Sequence, residues 1–226
     1  MTPDTPLLAS RRIRALSFDV DGTLYDFKRH RVHLLPLLLR HRRLLLGYRE
    51  VVAGLRGEQH ADLPAELCRR LGDRLGRPPE EVRRQLDRTI YGAWPASFTP
   101  RTSLRDMPVL LRVLDDAGVP RAVLSDHPAE AKLAGMGLGG WAALVDGEAV
   151  GAFKPHPAGM LAVAERLGLP PEAVLHIGDR VDTDDAMARA AGTIALIRGR
   201  DWDSVDQLGR LLLGRPWPTL RGADHG

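Results

Sequence analysis

Four short apolar runs punctuate the chain, and each gives way at once to polar residues. They are Ile13–Phe18 before Asp19, Arg121–Leu124 before Ser125, Val174–Ile177 before Gly178-Asp179, and Thr193–Ile197 before Arg198. Runs this short, without polar alternation, suit strands buried on both faces of a parallel sheet. Between the later runs, apolar positions recur at helical period over Leu104–Ala117, Ala158–Leu167 and Thr183–Ala191. Gly118, Gly168 and Gly192 stand where helix C-terminal stops belong. The alternation predicts an α/β fold: a doubly wound, Rossmann-like parallel sheet with helices on both faces.

One stretch breaks this rhythm. Leu34–Leu46, Ala65–Leu75 and Glu80–Tyr91 read as amphipathic helices, with Pro78-Pro79 punctuating the start of the last, and no strand pattern separates them. The pattern therefore predicts an inserted α-helical domain at residues 28–96, within an α/β core formed by 1–27 and 97–226. Asp26-Phe27-Lys28 and Trp94–Ser97 are the expected linkers, and residues 214–226, with Pro216, Pro218 and Gly222, a flexible tail.

Composition narrows the class. Of 226 residues, 44% are hydrophobic and 27% charged, which excludes a wholly disordered or collagen-like chain. Lys and Arg total 32 against 29 Asp and Glu, a surplus of +3 spread along the chain, so no nucleic-acid partner is expected. Cys68 is the single cysteine, which excludes an intramolecular disulfide and a cysteine-based zinc cage. The Leu34–Leu46 stretch is interrupted by Pro36 and by Arg40-His41-Arg42-Arg43, and the first residues lack the apolar run of a secretory signal. These features predict a cytoplasmic protein without a membrane partner; oligomeric state is not legible.

The chemistry-bearing residues fall at strand C-termini, where open α/β sheets bind ligands. Asp19-Val20-Asp21-Gly22-Thr23-Leu24 follows the first run, Ser125 ends the second, Lys154 lies in Phe153-Lys154-Pro155, and Asp179 ends a later strand before Asp182, Asp184 and Asp185. Period-two alternation sends Asp19 and Asp21 to one side, and Gly22 permits a sharp turn after them. Carboxylates so close need a cation, and an all-oxygen donor set favours magnesium over zinc. A magnesium ion on Asp19 and Asp179, with Lys154 and Ser125 nearby, would neutralise and orient a transferring phosphoryl group. One carboxylate can act as nucleophile to form an aspartyl-phosphate while the other moves protons.

The ordered set Asp19-Val20-Asp21-Gly22-Thr23-Leu24, Ser125, Lys154 and Gly178-Asp179…Asp184 resembles the four motifs of the haloacid dehalogenase-like (HAD) hydrolase superfamily, over roughly Ile13 to Ile197. The resemblance points to its phosphoglycolate phosphatase-like branch, in which the helical insertion is a C1-type cap. It implies Asp19 as nucleophile and Asp21 as general acid/base. Ser125 and Lys154, with Gly22 and Thr23 of the first motif, would bind phosphate. Asp19, Asp21 through its backbone carbonyl, Asp179 and Asp184 would bind magnesium, with Asp182 and Asp185 as rivals of Asp184. Dehalogenating relatives lack an acid where Asp21 stands, so the resemblance implies a magnesium-dependent phosphatase acting on a small phosphorylated metabolite. Alternatives are a sugar-phosphate mutase with the same chemistry and a catalytically idle polyanion-binding module.

Several residues stand outside this pattern. Asp126 departs from the amide or glycine that often follows the motif Ser/Thr, and adds negative charge beside the phosphate site. His30 and His33 read as surface residues. His127, His156 and His176 flank the motifs in packing or supporting positions, with His127 the best placed to touch substrate. Arg29, Arg31, Arg40, Arg42 and Arg43 read mostly as a solvated face of the insertion.

Overall fold

A computed structural model describes residues 7–8, 12–214 and 216–217. Five parallel strands, β1 (Ala15–Phe18), β2 (Arg121–Ser125), β3 (Ala143–Asp146), β4 (Val174–Gly178) and β5 (Ile194–Ile197), form one sheet in the order β3-β2-β1-β4-β5. The chain runs outward from β1 through β2 to β3, then returns to the other side of β1 to place β4 and β5. That reversal opens a crevice at the C-terminal ends of β1 and β4, where such sheets bind ligands. In register, Phe18 faces both Val123 and Ile177, so the residues that follow β1 and β4 emerge side by side.

Side-chain size separates the two faces. Leu16, Phe18, Val123, Leu175 and Ile177 pack with α6 (Met107–Asp116), α7 (Glu130–Met136) and α11 (Val205–Leu213). On the other face, small Ala15, Ala122 and Ala143 let α9 (Ala158–Leu167) and α10 (Ala186–Ala190) approach closely through Met160, Val163 and Met187. The short α8 (Gly147–Val150) follows β3 and is N-capped by Asp146. Strand β3 lies outside the four predicted runs. It is an edge strand whose burial alternates, in a glycine-rich stretch, so it shows no continuous apolar run.

The insertion is helical, as its periodicity predicts, but its first part is broken. Instead of one helix over Leu34–Leu46, the chain forms α1 (Phe27–His33), α2 (Leu35–Arg40) and α3 (Arg42–Leu55), interrupted at Leu34 and His41. Pro36 lies in the first turn of α2, where a missing N–H costs least. Asp26 caps α1 by accepting a bond from the Arg29 amide, so the predicted entry linker is already helical at Phe27. Leu44, Tyr48, Val51, Val52 and Leu55 of α3 pack against Leu63, Leu67 and Leu71 of α4 (Leu63–Leu75) and against Val82 and Leu86 of α5 (Pro79–Arg88). The core residue Phe153 completes this cluster and ties the helical layer to the sheet.

Two further expectations are corrected. His30 is buried, with a hydrogen bond to Ser97 at 2.9 Å and its ring 4.3 Å from that of Phe98. The predicted flexible tail begins docked: Trp217 is buried on α11, its indole nitrogen donating to the Asp206 carbonyl at 3.3 Å. Residues 215 and 218–226 lie outside the described residues. No helix among the described residues is long and apolar enough to cross a membrane.

Candidate active site

The chain turns sharply after β1. The Asp19 amide still bonds to Ile177 of β4, and the amides of Thr23 and Leu24 then close back on the Val20 carbonyl. Gly22 adopts φ +100°, and a Cβ there would stand 2.1 Å from Oδ2 of Asp179. Only glycine allows both the turn and the close approach of that carboxylate. At Gly178, likewise, a Cβ would collide with the Asp184 side chain at 2.5 Å. Asp184 therefore folds under the end of β4.

Lys154 sits at the centre. Its ammonium donates to Oδ1 of Asp19 and to Oδ1 of Asp184, both at 2.6 Å, and all three side chains are buried. Thr23, fully buried, gives its hydroxyl to the other oxygen of Asp19 at 3.0 Å. The second oxygen of Asp184 accepts from the amides of Asp179 and Arg180, and His176 reaches Oδ1 at 3.1 Å. Burial holds the His176 pKa below its usual value, so the ring is neutral near pH 7; donation from Nε2 to Asp184 and acceptance at Nδ1 from Ser17 satisfy both nitrogens.

The electrostatics follow from burial against pairing. Burial pushes the Asp19 carboxyl well above its ordinary range; Lys154 opposes this, while Asp184 and Asp179 add to it. Asp179 is pushed up to about 6, by burial and then by the charge of Asp184. Asp184 goes the other way, because Lys154 and His176 outweigh its burial. Carboxylate oxygens of Asp19, Asp179 and Asp184 lie within 4.8 Å of one another, a spacing that fits one hard divalent cation. Asp182 and Asp185 are occupied elsewhere, Asp182 by Arg180 and Asp185 by Arg189 and Arg200.

Other predicted residues are placed around this centre. Ser125 ends β2, buried, and accepts from the His127 amide at 3.3 Å. Asp126 turns to the helical layer: Arg56 pairs with it at 2.9 Å, and its other oxygen accepts from the Lys154 amide at 2.9 Å. Its extra charge is thereby compensated. The His127 ring bonds to Tyr48 of α3 and, at 2.7 Å, to Glu148 of α8, which also accepts from Tyr91. His127 thus joins the helical layer to the core, and His156 accepts from the Ala158 amide at the start of α9. The five arginines of the insertion, Arg29, Arg31, Arg40, Arg42 and Arg43, are exposed.

Asp21 has a partner that the sequence reading missed. Lys132 of α7 donates to both of its oxygens, at 2.7 and 2.8 Å, and the Tyr25 hydroxyl donates to Oδ1. Burial raises the Asp21 pKa, but Lys132 and Tyr25 outweigh it and leave the carboxyl below its ordinary range. A signal for Lys132 was present: Ala129, Lys132, Leu133 and Met136 are the buried positions of α7 and its N-cap, and their spacing is that of an apolar helix stripe. A lysine within such a stripe needs a buried anion. Asp21, Gly22 and Asp179 line a cleft of about 500 Å³ together with Phe27 and Lys28 of α1, Arg180 and Arg198. Arg198 fixes the Gly22 carbonyl at 2.8 Å.

The chain resembles known proteins in sequence and in fold. Residues 13–192 match the family model of haloacid dehalogenase-like hydrolases. The phosphoglycolate phosphatase of Pectobacterium atrosepticum is 30% identical over 203 residues, covering 87% of this chain and 85% of that protein. Among solved structures, an HAD phosphatase from Thermococcus onnurineus superposes with a TM-score of 0.61 at 20% identity, over 91% of this chain and all of the other. The L-2-haloacid dehalogenase of Xanthobacter autotrophicus gives 0.58 at 25% identity, over 89% of this chain and 83% of its own.

Proposed function

The chain belongs to the haloacid dehalogenase-like hydrolases, and from that premise we propose that it is a magnesium-dependent phosphatase cleaving a small phosphomonoester through an aspartyl-phosphate on Asp19. The observation that carries this reading is the Lys154 ammonium shared between Asp19 and Asp184, beside Asp179. An ammonium has three donors, and two are used here, leaving one for a phosphoryl oxygen. Ser125, at the neighbouring strand end, offers a hydroxyl to a second.

In the first half-reaction, a carboxylate oxygen of Asp19 attacks phosphorus. The bond to the ester oxygen breaks, and that oxygen leaves with the electron pair and takes a proton from Asp21, which must first take that proton up from solvent because Lys132 and Tyr25 favour its ionised form. In the second, Asp21 takes a proton from water as the water oxygen attacks phosphorus, which releases phosphate and restores Asp19. Thr23 and Lys154 hold the Asp19 carboxylate in place for both. The clustered oxygens and the room that Gly22 leaves for Asp179 fit a magnesium ion, which Asp19, Asp179, Asp184 and the Asp21 carbonyl would hold. When bound it supplies charge neutralisation at the phosphoryl oxygens.

Residues 28–96 act in this reading as a cap over the cleft. Lys28, which lines the same cleft as Asp21 and Asp179, offers a cation to a second anionic group of the substrate, and phosphoglycolate is the first candidate, after the 30%-identical relative. The test is a panel of phosphomonoesters with magnesium, run on wild type and Asp19→Asn, scoring free phosphate against isomerised product. Turnover lost in Asp19→Asn and after chelation is the expected result. Undiminished activity in that variant would sink the mechanism, and an isomer in place of phosphate would turn the assignment to a mutase.

A further inference from the structure

Lys132 takes no part in the reaction outlined above, yet a buried lysine is costly unless it is paired. It is 6% exposed, on a helix whose other buried residues are apolar. Its ammonium meets both oxygens of one carboxylate, that of Asp21. Asp21 itself is not buried to the same extent, since about a third of its side chain (31%) is exposed, and it forms part of the cleft wall. A buried cation thus grips an acid that faces the space where substrate would lie.

The grip is geometrically complete. Two donors from one ammonium fix the plane of a carboxylate more firmly than a single bond could, and the Tyr25 hydroxyl adds a third bond on Oδ1. Tyr25 cannot move aside, because it is fully buried and its ring meets those of Phe98, at 4.9 Å, and His30, at 5.4 Å. Lys132 is fixed in turn by α7, which packs closely on the segment leaving the helical insertion: a Cβ on Gly135 would stand 2.9 Å from the Phe98 carbonyl. The orientation of Asp21 is therefore set jointly by the core and by the exit of the insertion.

We propose that Lys132 is a positioning residue that acts through Asp21, holding its carboxylate in line with the ester oxygen that leaves during attack by Asp19. The inference rests on the phosphatase reading and on Asp21 as the proton-moving group. Lys132 keeps its own protons throughout; the proton passes from Asp21 to the leaving oxygen. Its contribution should therefore depend on how much the leaving oxygen needs that proton. An alkoxide leaves poorly unless protonated, whereas a nitrophenolate leaves without help.

The experiment follows the first turnover, the phosphorylation of Asp19, by rapid quench in the presence of magnesium. It compares p-nitrophenyl phosphate with the best alkyl phosphate among 2-phosphoglycolate, glycerol 3-phosphate and glyceraldehyde 3-phosphate. Lys132→Met should slow the alkyl reaction on the order of 10–100-fold, within the usual reach of general-acid catalysis, and the nitrophenyl reaction by only a few-fold. Asp21→Asn should show the same ranking, and the double variant should be no slower than Asp21→Asn alone. Lys132→Arg, which keeps a cation, should recover part of the alkyl rate. Equal slowing of both substrates, or losses that multiply in the double variant, would overturn the proposal by showing general damage to the site. If Asp21→Asn shows no preference between substrates, the acid assignment falls. If wild type turns over none of the panel, the phosphatase reading falls and this inference with it.

Discussion

Lys154→Met removes the one cation from a buried cluster of acids and leaves a side chain of similar length. In the folded protein, Asp19 and Asp184 each lose a 2.6 Å bond to the ammonium of Lys154, a residue 5% exposed. Breaking a buried pair by deleting one partner costs about 3–5 kcal/mol, because the remaining charge stays desolvated. The figure is not doubled for two acids, since Thr23 still serves Asp19, and His176 with two amides still serves Asp184. For a chain of this size each kcal/mol moves Tm by about 2–4 °C, so the expected fall is about 6–20 °C at pH 7.5 in EDTA. Circular dichroism melts measure it. The sign of the pH dependence is a second check. Without Lys154 the native-state carboxyls rise above their unfolded values, and a raised acid destabilises above its folded pKa and ceases to do so as pH falls through it. The gap to wild type should therefore narrow at pH 5, and Asp184→Asn added to Lys154→Met should narrow it at pH 7.5. A Tm within about 2 °C of wild type at pH 7.5, less than 1 kcal/mol on that scale, would refute the reasoning, as would a gap that ignores pH.

Two other perturbations probe the same cluster. Gly22→Ala places a methyl group 2.1 Å from Oδ2 of Asp179 at a φ of +100°; the backbone strain should cost about 1–3 kcal/mol, and displacement of Asp179 should weaken magnesium binding by calorimetry, so an unchanged magnesium isotherm would contradict the assigned site. Magnesium should raise the Tm of wild type more at pH 7.5 than at pH 5, because Asp179, pushed up to about 6, is destabilising above that pH when no cation is bound and must lose its proton to bind one; an equal rise at both pH values would remove Asp179 from the metal site.

What the sequence made legible was whatever repeats along one strand or one helix. Apolar runs that stop abruptly at Asp19, Ser125 and Asp179 mark strand ends, and Ala158–Leu167 is bounded in the structure as its pattern and Gly168 predict. What depends on a distant partner was not legible. His30 lies among Lys28, Arg29 and Arg31 in the chain, and the rings of Tyr25 and Phe98 lie against it. The broken helix over Leu34–Leu46 kept its apolar spacing across both interruptions, so periodicity could not show them. Strand β3 needs β2 beside it to be a strand at all. Lys132 was readable as an anomaly in its helix, but its partner lies 111 residues earlier in the chain.

The pairing of charges explains why lysine is scarce here and where it is used. Around the site, four acids outside the cluster have a cation: Asp126 has Arg56, Asp182 has Arg180, Asp185 has Arg189, and Asp21 has Lys132. Where a long planar fork can reach from the periphery, the partner is arginine. The two buried cations that contact Asp19 and Asp21 are both lysines, and they are two of only three in the chain. A compact ammonium can sit between two carboxylates 2.6 Å away on either side, as Lys154 does, without filling the space a phosphoryl group needs. Three carboxylates against that single ammonium leave the cluster two negative charges in excess, the charge of one divalent cation. Burial is the first cause of the raised pKa values of Asp19 and Asp179, and the neighbouring carboxylates add to it when no cation is bound. A metal would lower both, returning Asp19 to the anionic form that a nucleophile requires. In the proposed reaction, the excess of negative charge that a divalent cation would balance is thus the same feature that, once balanced, would leave Asp19 anionic for attack.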